Sequence, residues 1–291
     1  MTAAAAGVDP AARTFYGGGA APSPDRVRWI RPWTRPWTRP WTLPLDPAPS
    51  PRQRADLLLV ERGLFESRAK AQAAITAGLV TAGGVAVRKP SEAVAVDADL
   101  VAKPAFPWVS RGGVKLEGAL TGFDIDVAGR VCLDVGASTG GFAEVLLARG
   151  ARRVYAVDVG TGQLHPRLRA DPRIVSLERT DIRSLDPARL AERPDVVTVD
   201  VSFIPLALVL PPALALAARP AYLLALVKPQ FEAPHAGNRN GIVRDPAVRD
   251  GAVARATALV TALGGRHPVV IPSPIAGGDG NLEYFVGAAF G

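Results

Sequence analysis

The stretch of sequence that decides the fold reads Leu133-Asp134-Val135-Gly136-Ala137-Ser138-Thr139-Gly140-Gly141-Phe142. Its first residues, together with Val131 and Cys132, form an apolar run typical of a buried strand, and the glycines predict a tight turn into a helix. Glycines there let the backbone approach a ligand closely, and the helix N-terminus offers free N–H groups. The spacing differs from Gly-x-Gly-x-x-Gly, and no Gly-Lys-Ser/Thr ending follows, so neither a dinucleotide site nor a phosphate-binding loop is favoured.

Alternating strands and helices follow this stretch to the end of the chain. Apolar runs predict strands at residues 131–135, 154–158, 174–177, 196–200, 222–227, 268–271 and 283–289. Helices are predicted at residues 141–149, 162–170, 187–192, 206–218 and 246–263. Apolar strands separated by helices are typical of an α/β protein with a parallel, doubly wound sheet covered on both faces. Ligands of such sheets bind beside the carboxyl ends of the strands, where we therefore expect functional residues.

A small α+β module is predicted ahead of this sheet, in residues 53–108. Its two short helices are expected at residues 54–62 and 67–77, and Ser67 is a good N-cap for the second. Short apolar segments on either side of Ala82-Gly83-Gly84 predict a β-hairpin. The chain therefore divides into an extension (residues 1–52), this module (residues 53–108) and a doubly wound domain (residues 109–291).

The extension differs in composition from the rest of the chain. Arg31-Pro32-Trp33-Thr34 repeats at residues 35–38 and 39–42. Prolines at this spacing exclude a helix and remove ladder donors, so we predict disorder. Two interpretations are open: an Arg/Trp arm that stacks on single-stranded RNA, or a lineage-specific or misassigned extension without a function.

Charge and cysteine content limit the class of protein. The formal net charge of the 291 residues is +7 and the pI is about 10.1, but residues 1–52 carry seven arginines against three aspartates. Because more than half of the charge lies there, bulk charge is a weak argument for nucleic-acid binding. The lone Cys132 excludes an intrachain disulfide and a cysteine-based zinc site. No apolar run approaches the roughly 18–20 residues of a membrane span, so we expect a cytoplasmic protein without a membrane partner.

Acidic residues after two further strands sharpen the ligand prediction. Asp158 ends the second strand, where an acid commonly holds the ribose hydroxyls of a nucleotide-like ligand. Asp181 follows the third strand and is placed to accept from an exocyclic adenine amine. Glycine turn, ribose acid and adenine-side acid together indicate S-adenosylmethionine (SAM) as the cofactor. The predicted cofactor-binding residues are Asp134, Gly136, Ala137, Ser138, Thr139, Gly140, Gly141, Phe142, Asp158 and Asp181.

Two lysines and two acids form a second candidate set. Asp200 and Lys228 end apolar strands, Glu283 opens the last strand, and Lys115 follows a Ser-Arg-Gly-Gly run. A charge at the end of a buried strand is costly unless it is paired. Each residue alone is compatible with a solvated strand end or a structural ion pair, whereas the four together favour a catalytic cluster.

The order Lys115, Asp200, Lys228, Glu283 resembles the Lys-Asp-Lys-Glu tetrad of the FtsJ-like ribose 2′-O-methyltransferases. The phrases Val109-Ser110-Arg111-Gly112-Gly113-Val114-Lys115-Leu116 and Gly278-Asp279-Gly280-Asn281-Leu282-Glu283-Tyr284, with the glycine turn, resemble the TlyA family of haemolysin-A-like ribosomal RNA methyltransferases. Residues 54–80 are similar to the S4-type RNA-binding domain. The resemblance covers residues 53–291, with one departure at Thr81-Ala82-Gly83-Gly84, where Val-Asn-Gly is usual.

The resemblance implies a Rossmann-like SAM-dependent methyltransferase that modifies a cytidine ribose in ribosomal RNA or ribosomal subunits. In this hypothesis Lys228 is the general base, Asp200 orients it, Lys115 steadies the developing alkoxide and Glu283 holds Lys115 or the ribose, without a metal ion. The predicted RNA-binding residues are Arg54, Ser67, Arg68, Lys70 and Arg111. Two rival hypotheses are a non-catalytic ribosome-assembly factor and a haemolysin, and the second is disfavoured because no membrane-spanning pattern exists.

Overall fold

The computed structural model describes residues 50–233 and 241–291, so the predicted disorder of the extension and its repeats falls almost entirely outside the described residues. The strands are β1 Arg52–Arg54, β2 Val80–Ala82, β3 Val85–Ala86, β4 Ala93–Ala95, β5 Leu100–Ala102, β6 Val131–Val135, β7 Arg153–Val157, β8 Ile174–Leu177, β9 Val196–Val199, β10 Ala221–Val227, β11 Arg266–Pro272 and β12 Tyr284–Phe290. The helices are α1 Ala55–Glu61, α2 Arg68–Thr76, α3 Arg111–Phe123, α4 Gly141–Ala148, α5 Pro166–Arg169, α6 Leu206–Leu216, α7 Pro229–Glu232 and α8 Pro246–Ala262.

A seven-stranded sheet in the order β11-β12-β10-β9-β6-β7-β8 confirms the predicted α/β class. Strands β6 to β10 are parallel, and β6 pairs with β7 on one side and β9 on the other. The strand order therefore reverses between β6 and β9, which is where doubly wound sheets bind their ligands.

The sheet is parallel as predicted except at one edge, where β12 lies. β12 runs antiparallel to both β10 and β11. The physical reason is the connection between β11 and β12, because residues 273–283 form a loop and contain no crossover helix. Without a helix to carry the chain back, consecutive strands pair as an antiparallel ribbon.

Alternating side chains of the sheet separate the core into two clusters. Val131, Leu133 and Val135 point to one face, which α6 and α8 cover. Cys132 points to the opposite face, which α3 and α4 cover, and it is fully buried as the sequence predicts. Within the described residues, no helix has both the length and the apolar character needed to cross a membrane.

Two predicted helices differ from the observed ones, and the observed α3 was not predicted. The helix predicted at residues 162–170 is only the short α5, because Gly162 takes a positive φ and the Glu178 carboxylate accepts from the backbone of Gln163 and Leu164. Residues 187–192 contain only a 3-10 turn at Pro187–Arg189. Sequence analysis missed α3, whose glycine-rich start lowers helix propensity but permits close packing.

The small module is α+β, as predicted. Ser67 caps α2 by accepting from the Lys70 amide, and glycines at positive φ turn the chain between β2 and β3. Its own core comprises Ala55, Leu58, Leu59, Phe65, Ala71, Ala74, Ile75, Val80, Val87 and Val94. Pairing of β1 with β4 brings Arg52 into the folded module.

Candidate active site

The glycine turn lies at the reversal point of the sheet. The register of β6 and β9 pairs Val135 with Val199, so Gly136 lies beside Asp200. A Cβ atom on Gly136 would stand 2.3 Å from the Asp200 carbonyl oxygen, and its φ is +86°. Glycine is required here because the turn takes a left-handed conformation directly against the neighbouring strand end.

A cleft of about 760 Å³ opens at this turn. Asp158 lines it, and its two carboxylate oxygens accept from the backbone amides of Ser138 and Gly160 at 2.8 and 2.7 Å. A carboxylate has lone pairs beyond these two bonds, so Asp158 is held rigidly with acceptor capacity to spare. This geometry fits the ribose hydroxyls predicted for that position.

Asp181 lines the same cleft on the next loop. Its carboxylate accepts from the backbone and guanidinium of Arg183, and the ion pair measures 2.6 Å. The side-chain hydrogen bond from Arg183 is the main cause that lowers the pKa of Asp181. The carboxylate is therefore anionic and can still accept from an amine donor.

Other predicted cofactor residues lie behind the cleft lining. Asp134 is completely buried, its Oδ1 accepts from Thr198 at 3.0 Å, and burial raises its pKa to about 7. Phe142 packs in the core against Phe285, with ring centroids 6.1 Å apart. Ala137, Thr139, Gly140 and Gly141 also lie outside the cleft lining. Of the glycine-turn stretch, Val135, Gly136 and Ser138 face the cleft directly.

Lys228 follows β10 and lies next to Asp200, at the end of β9. Its Nζ is 2.6 Å from Asp200 Oδ1 and donates to Ser202 Oγ at 2.9 Å. The contact with Asp200 is an ion pair without hydrogen-bond alignment, since Oδ1 has no aligned donor among the described residues. Ser202 is thus the oriented partner of this nearly buried lysine.

Lys115 and Glu283 form the second ion pair, with Nζ and Oε2 2.5 Å apart and both side chains buried. Lys115 extends from α3, so it does not follow a strand. Arg111, at the start of α3, donates to the carbonyl oxygens of Ala276 and Gly277 and ties the helix to the loop before Glu283.

The register of β10 and β12 joins the two ion pairs. Val227 pairs with Tyr284 in the antiparallel ladder, so Lys228 and Glu283 are at directly opposed positions just beyond it. Lys115, Asp200, Lys228 and Glu283 therefore gather at one end of the sheet, beside the glycine turn.

The predicted RNA-binding residues have intramolecular partners. Arg54 and Arg68 both bind the carboxylate of Asp56. Lys70 pairs with Glu66 at 2.6 Å, and the remaining two, Ser67 and Arg111, have the capping and tethering contacts described above. Arg111 belongs to the methyltransferase end of the chain, whereas the other four share the small module.

Sequence analysis missed two residues at the mouth of the cleft. Ser202 binds Lys228, and Phe203 is 90% exposed at a φ of +66° with its ring centroid 4.9 Å from that of Phe231. An exposed aromatic side chain held at positive φ is unfavourable in both respects. The position of both residues just after the Asp200 strand end was the signal available in the sequence.

Comparisons with known proteins agree with this arrangement. The family model described as FtsJ-like methyltransferase matches residues 108–290, and the S4 domain model matches residues 53–100. The chain is 48% identical over 238 residues to the 16S/23S rRNA (cytidine-2′-O)-methyltransferase TlyA of Mycobacterium tuberculosis, which covers 81% of this chain and 89% of the relative. It is 37% identical to Hemolysin A of Brachyspira hyodysenteriae, over 79% of this chain and 97% of the relative.

A solved structure, described as a candidate hemolysin from Streptococcus thermophilus, is 40% identical and superposes with a TM-score of 0.66 over 82% of this chain and 89% of that one. Fold, site and family models together define a methyltransferase with an appended RNA-binding type of domain. The chain belongs to the TlyA family of the FtsJ-like methyltransferases.

Proposed function

We propose that this protein transfers the methyl group of SAM to the 2′-hydroxyl of a cytidine in ribosomal RNA, using Lys115, Asp200, Lys228 and Glu283 and no metal ion. The observation that carries the proposal is the convergence of these four side chains beside the glycine-turn cleft. The printed activity of the M. tuberculosis relative supports the choice of substrate. A ribosomal substrate would also place the protein in the cytoplasm.

The cleft residues hold the cofactor in this proposal. SAM, when bound, supplies an electrophilic methyl group on a sulfonium. Asp158 accepts from the ribose hydroxyls and Asp181 from the adenine amine, while Gly136 and Ser138 let the ligand lie against the turn. The remaining residues of this stretch, Asp134, Ala137, Thr139, Gly140, Gly141 and Phe142, lie outside the cleft lining and shape the turn.

Lys228 removes the proton from the 2′-hydroxyl as that oxygen attacks. In this role Nζ would accept the hydroxyl proton and pass it on to water, while SAM, when bound, would supply the methyl group to the hydroxyl oxygen and leave as the neutral thioether. Asp200 and Ser202, which both line the cleft, contact the nitrogen and fix its position. Fixed geometry matters because an in-line transfer gains much of its rate from positioning.

Lys115 stabilises the negative charge that develops on the attacking oxygen. Glu283 holds this lysine at 2.5 Å and neutralises it in the absence of RNA. The pair is buried, and an electrostatic contact is stronger in such an environment than in water.

The small module binds the RNA that carries the target ribose. Arg54, Arg68 and Lys70 contact phosphates, Ser67 fixes the helix that carries two of them, and Arg111 adds a cation at the start of α3. The charge of residues 53–112 is only +2. Tight binding by counterion release alone is therefore not expected, and the module recognises the shape of a folded RNA.

The test is a methylation assay with purified protein, SAM, and ribosomal subunits or ribosomal RNA, read by mass spectrometry of nucleosides. Wild type yields 2′-O-methylcytidine with or without a metal chelator. Lys228→Met slows the reaction by at least about 10²-fold while SAM affinity by calorimetry is kept. Lys103→Met, which removes an exposed lysine outside the cleft, is the matched control and retains the rate at saturating RNA.

Two outcomes contradict the proposal in different ways. No 2′-O-methylcytidine from wild type on any ribosomal RNA would overturn the reaction. Normal product from Lys228→Met would overturn only the assignment of the base.

A further inference from the structure

Asp56 is a fully buried carboxylate in the small module that receives three side-chain donors. Arg54 donates to Oδ1 and Oδ2 at 3.0 Å, Arg68 donates to Oδ2 at 3.0 Å, and Gln72 donates to Oδ2 at 2.8 Å. The Asp56 side chain has no exposed surface, whereas those of Arg54 and Arg68 are 45% and 55% exposed. The buried anion thus has its two cations at the surface.

Asp56 stays ionised and holds both arginines through its carboxylate. The hydrogen bonds from Arg54, above all other causes, hold the pKa of Asp56 far below its usual range. Two guanidinium groups bind one oxygen of this carboxylate, so they are held side by side despite their like charge. One negative charge against two positive charges leaves a net +1, with most of the arginine N–H donors free to face solvent.

Other cations of the module are used differently. Arg62 donates to the carbonyl oxygens of Val96 and Ala98, and Lys70 pairs with exposed Glu66. Arg54 and Arg68 share a partner that is itself hidden. Their guanidinium planes are therefore oriented before any ligand arrives, which reduces the ordering cost of binding.

We propose that Asp56 is a positioning residue that holds Arg54 and Arg68 as one two-armed subsite for a phosphate group of the RNA backbone. The proposal rests on the proposed RNA substrate and adds the identity of one contact. A guanidinium presents paired donors to a phosphate, and two fixed guanidinium groups bracket such an anion from two sides.

Substitution of Asp56 distinguishes positioning from simple charge, because the two explanations predict opposite changes in RNA affinity. Asp56→Asn removes a negative charge from an RNA-binding surface, so long-range electrostatics alone predicts tighter binding. The positioning role predicts the reverse, because asparagine lacks the charge that attracts both guanidinium groups and turns an NH₂ donor toward donors that now meet an oxygen. We expect the Kd for ribosomal RNA to rise about tenfold, the loss of one charge-assisted contact, and the salt slope to fall by about one.

Glu61→Gln is the matched control. It makes the same change of net charge on α1, but Glu61 is exposed, accepts from Gln53, and forms no ion pair with either arginine among the described residues. We expect unchanged or slightly tighter RNA binding from this variant. Melting temperature and SAM affinity are measured on each variant to show that the chain is folded.

If Asp56→Asn does not fold, the double variant Arg54→Lys and Arg68→Lys tests the same point, since it keeps both charges and loses the planar fork. It should also bind RNA about tenfold more weakly. RNA affinity at or above wild type in a folded Asp56→Asn, or in the double lysine variant, overturns the proposal. If wild type binds no ribosomal RNA, the proposed function has failed instead, and the two failures are thereby distinguished.

Discussion

The catalytic cluster and the Asp56 cluster arrange opposite charges in opposite ways. In the candidate catalytic cluster both lysines are buried, Glu283 is almost fully covered beside Lys115, and Asp200 is half-buried. In the Asp56 cluster the acid is hidden and its arginines reach the surface. This difference fits the two proposed roles, because a lysine proposed to act on one atom is enclosed and the arginines proposed to meet a polyanion are exposed.

Breaking the buried ion pair of Lys115 and Glu283 should cause the largest loss of stability and activity. Lys115→Met leaves the Glu283 carboxylate buried without a partner, so the free energy of unfolding should fall by about 3–5 kcal/mol and methylation should stop. Lys115→Met with Glu283→Leu should recover most of the stability and none of the activity. Denaturant titrations and the methylation assay measure the two effects.

In the small module, removal of one arginine should lower the free energy of unfolding less than removal of Lys115 does. Arg68→Met leaves Asp56 with Arg54 and Gln72, so it should destabilise the chain less than Lys115→Met does. Equal losses from the two substitutions would remove the distinction between the clusters.

Asp134 differs from the acids of both clusters, because it is buried and has no cation partner in the described residues. Burial raises its pKa to about 7 from a usual 3.8, so the native state binds its proton more tightly than the unfolded state. This stabilisation is complete below the unfolded pKa and is lost as pH rises through about 7, a change on the order of 3–4 kcal/mol. In urea titrations between about pH 4 and pH 8, Asp134→Asn should lack this decline.

The slopes of unfolding free energy against pH are the informative quantity, because the new amide changes the free energy of unfolding by an amount that does not depend on pH. Parallel pH dependence in wild type and Asp134→Asn would show that Asp134 titrates normally in the folded chain.

Ser202 tests how finely the catalytic lysine is held. Ser202→Ala removes the oriented hydrogen bond to Lys228, so we expect kcat to fall about tenfold, or 1.4 kcal/mol, with little change in KM for RNA. Ser202→Thr keeps a hydroxyl and should restore most of the rate. A fall in kcat together with a rise in KM for RNA, without rescue by threonine, would point to a structural role.

The smallest effect belongs to an ion pair in which both partners are exposed. Arg149 pairs with Glu117 across α3 and the end of α4. Glu117→Gln should change the free energy of unfolding by less than about 1 kcal/mol and leave methylation unaltered. If Glu117→Gln lowered the free energy of unfolding nearly as much as Lys115→Met does, burial would not explain how much each ion pair contributes to stability.

Much of the catalytic domain was predictable because its signals are local. The strands at residues 131–135 and 174–177 are found where they were predicted, since a strand buried on both faces is a continuous apolar run. The expectation that Asp158, Asp181 and Asp200 lie at one edge of the sheet agrees with the cleft they line together, because parallel strands bring their carboxyl ends to one edge.

Features that depend on neighbours far along the chain were not readable. The loop between β11 and β12 decides that β12 runs antiparallel, and that register sets Glu283 opposite Lys228. Likewise, the sequence marked Arg54 and Arg68 as cations, and only the tertiary structure showed that both converge on Asp56.

The sequence by itself determined the class of fold and the family, and it supplied the candidate site residues, because apolar periodicity, turn glycines and strand-end charges are encoded within a few residues. The tertiary structure alone decided which charge pairs with which, and which partner of each pair is buried. Those choices depend on desolvation and on long-range register, and neither is a property of any short segment.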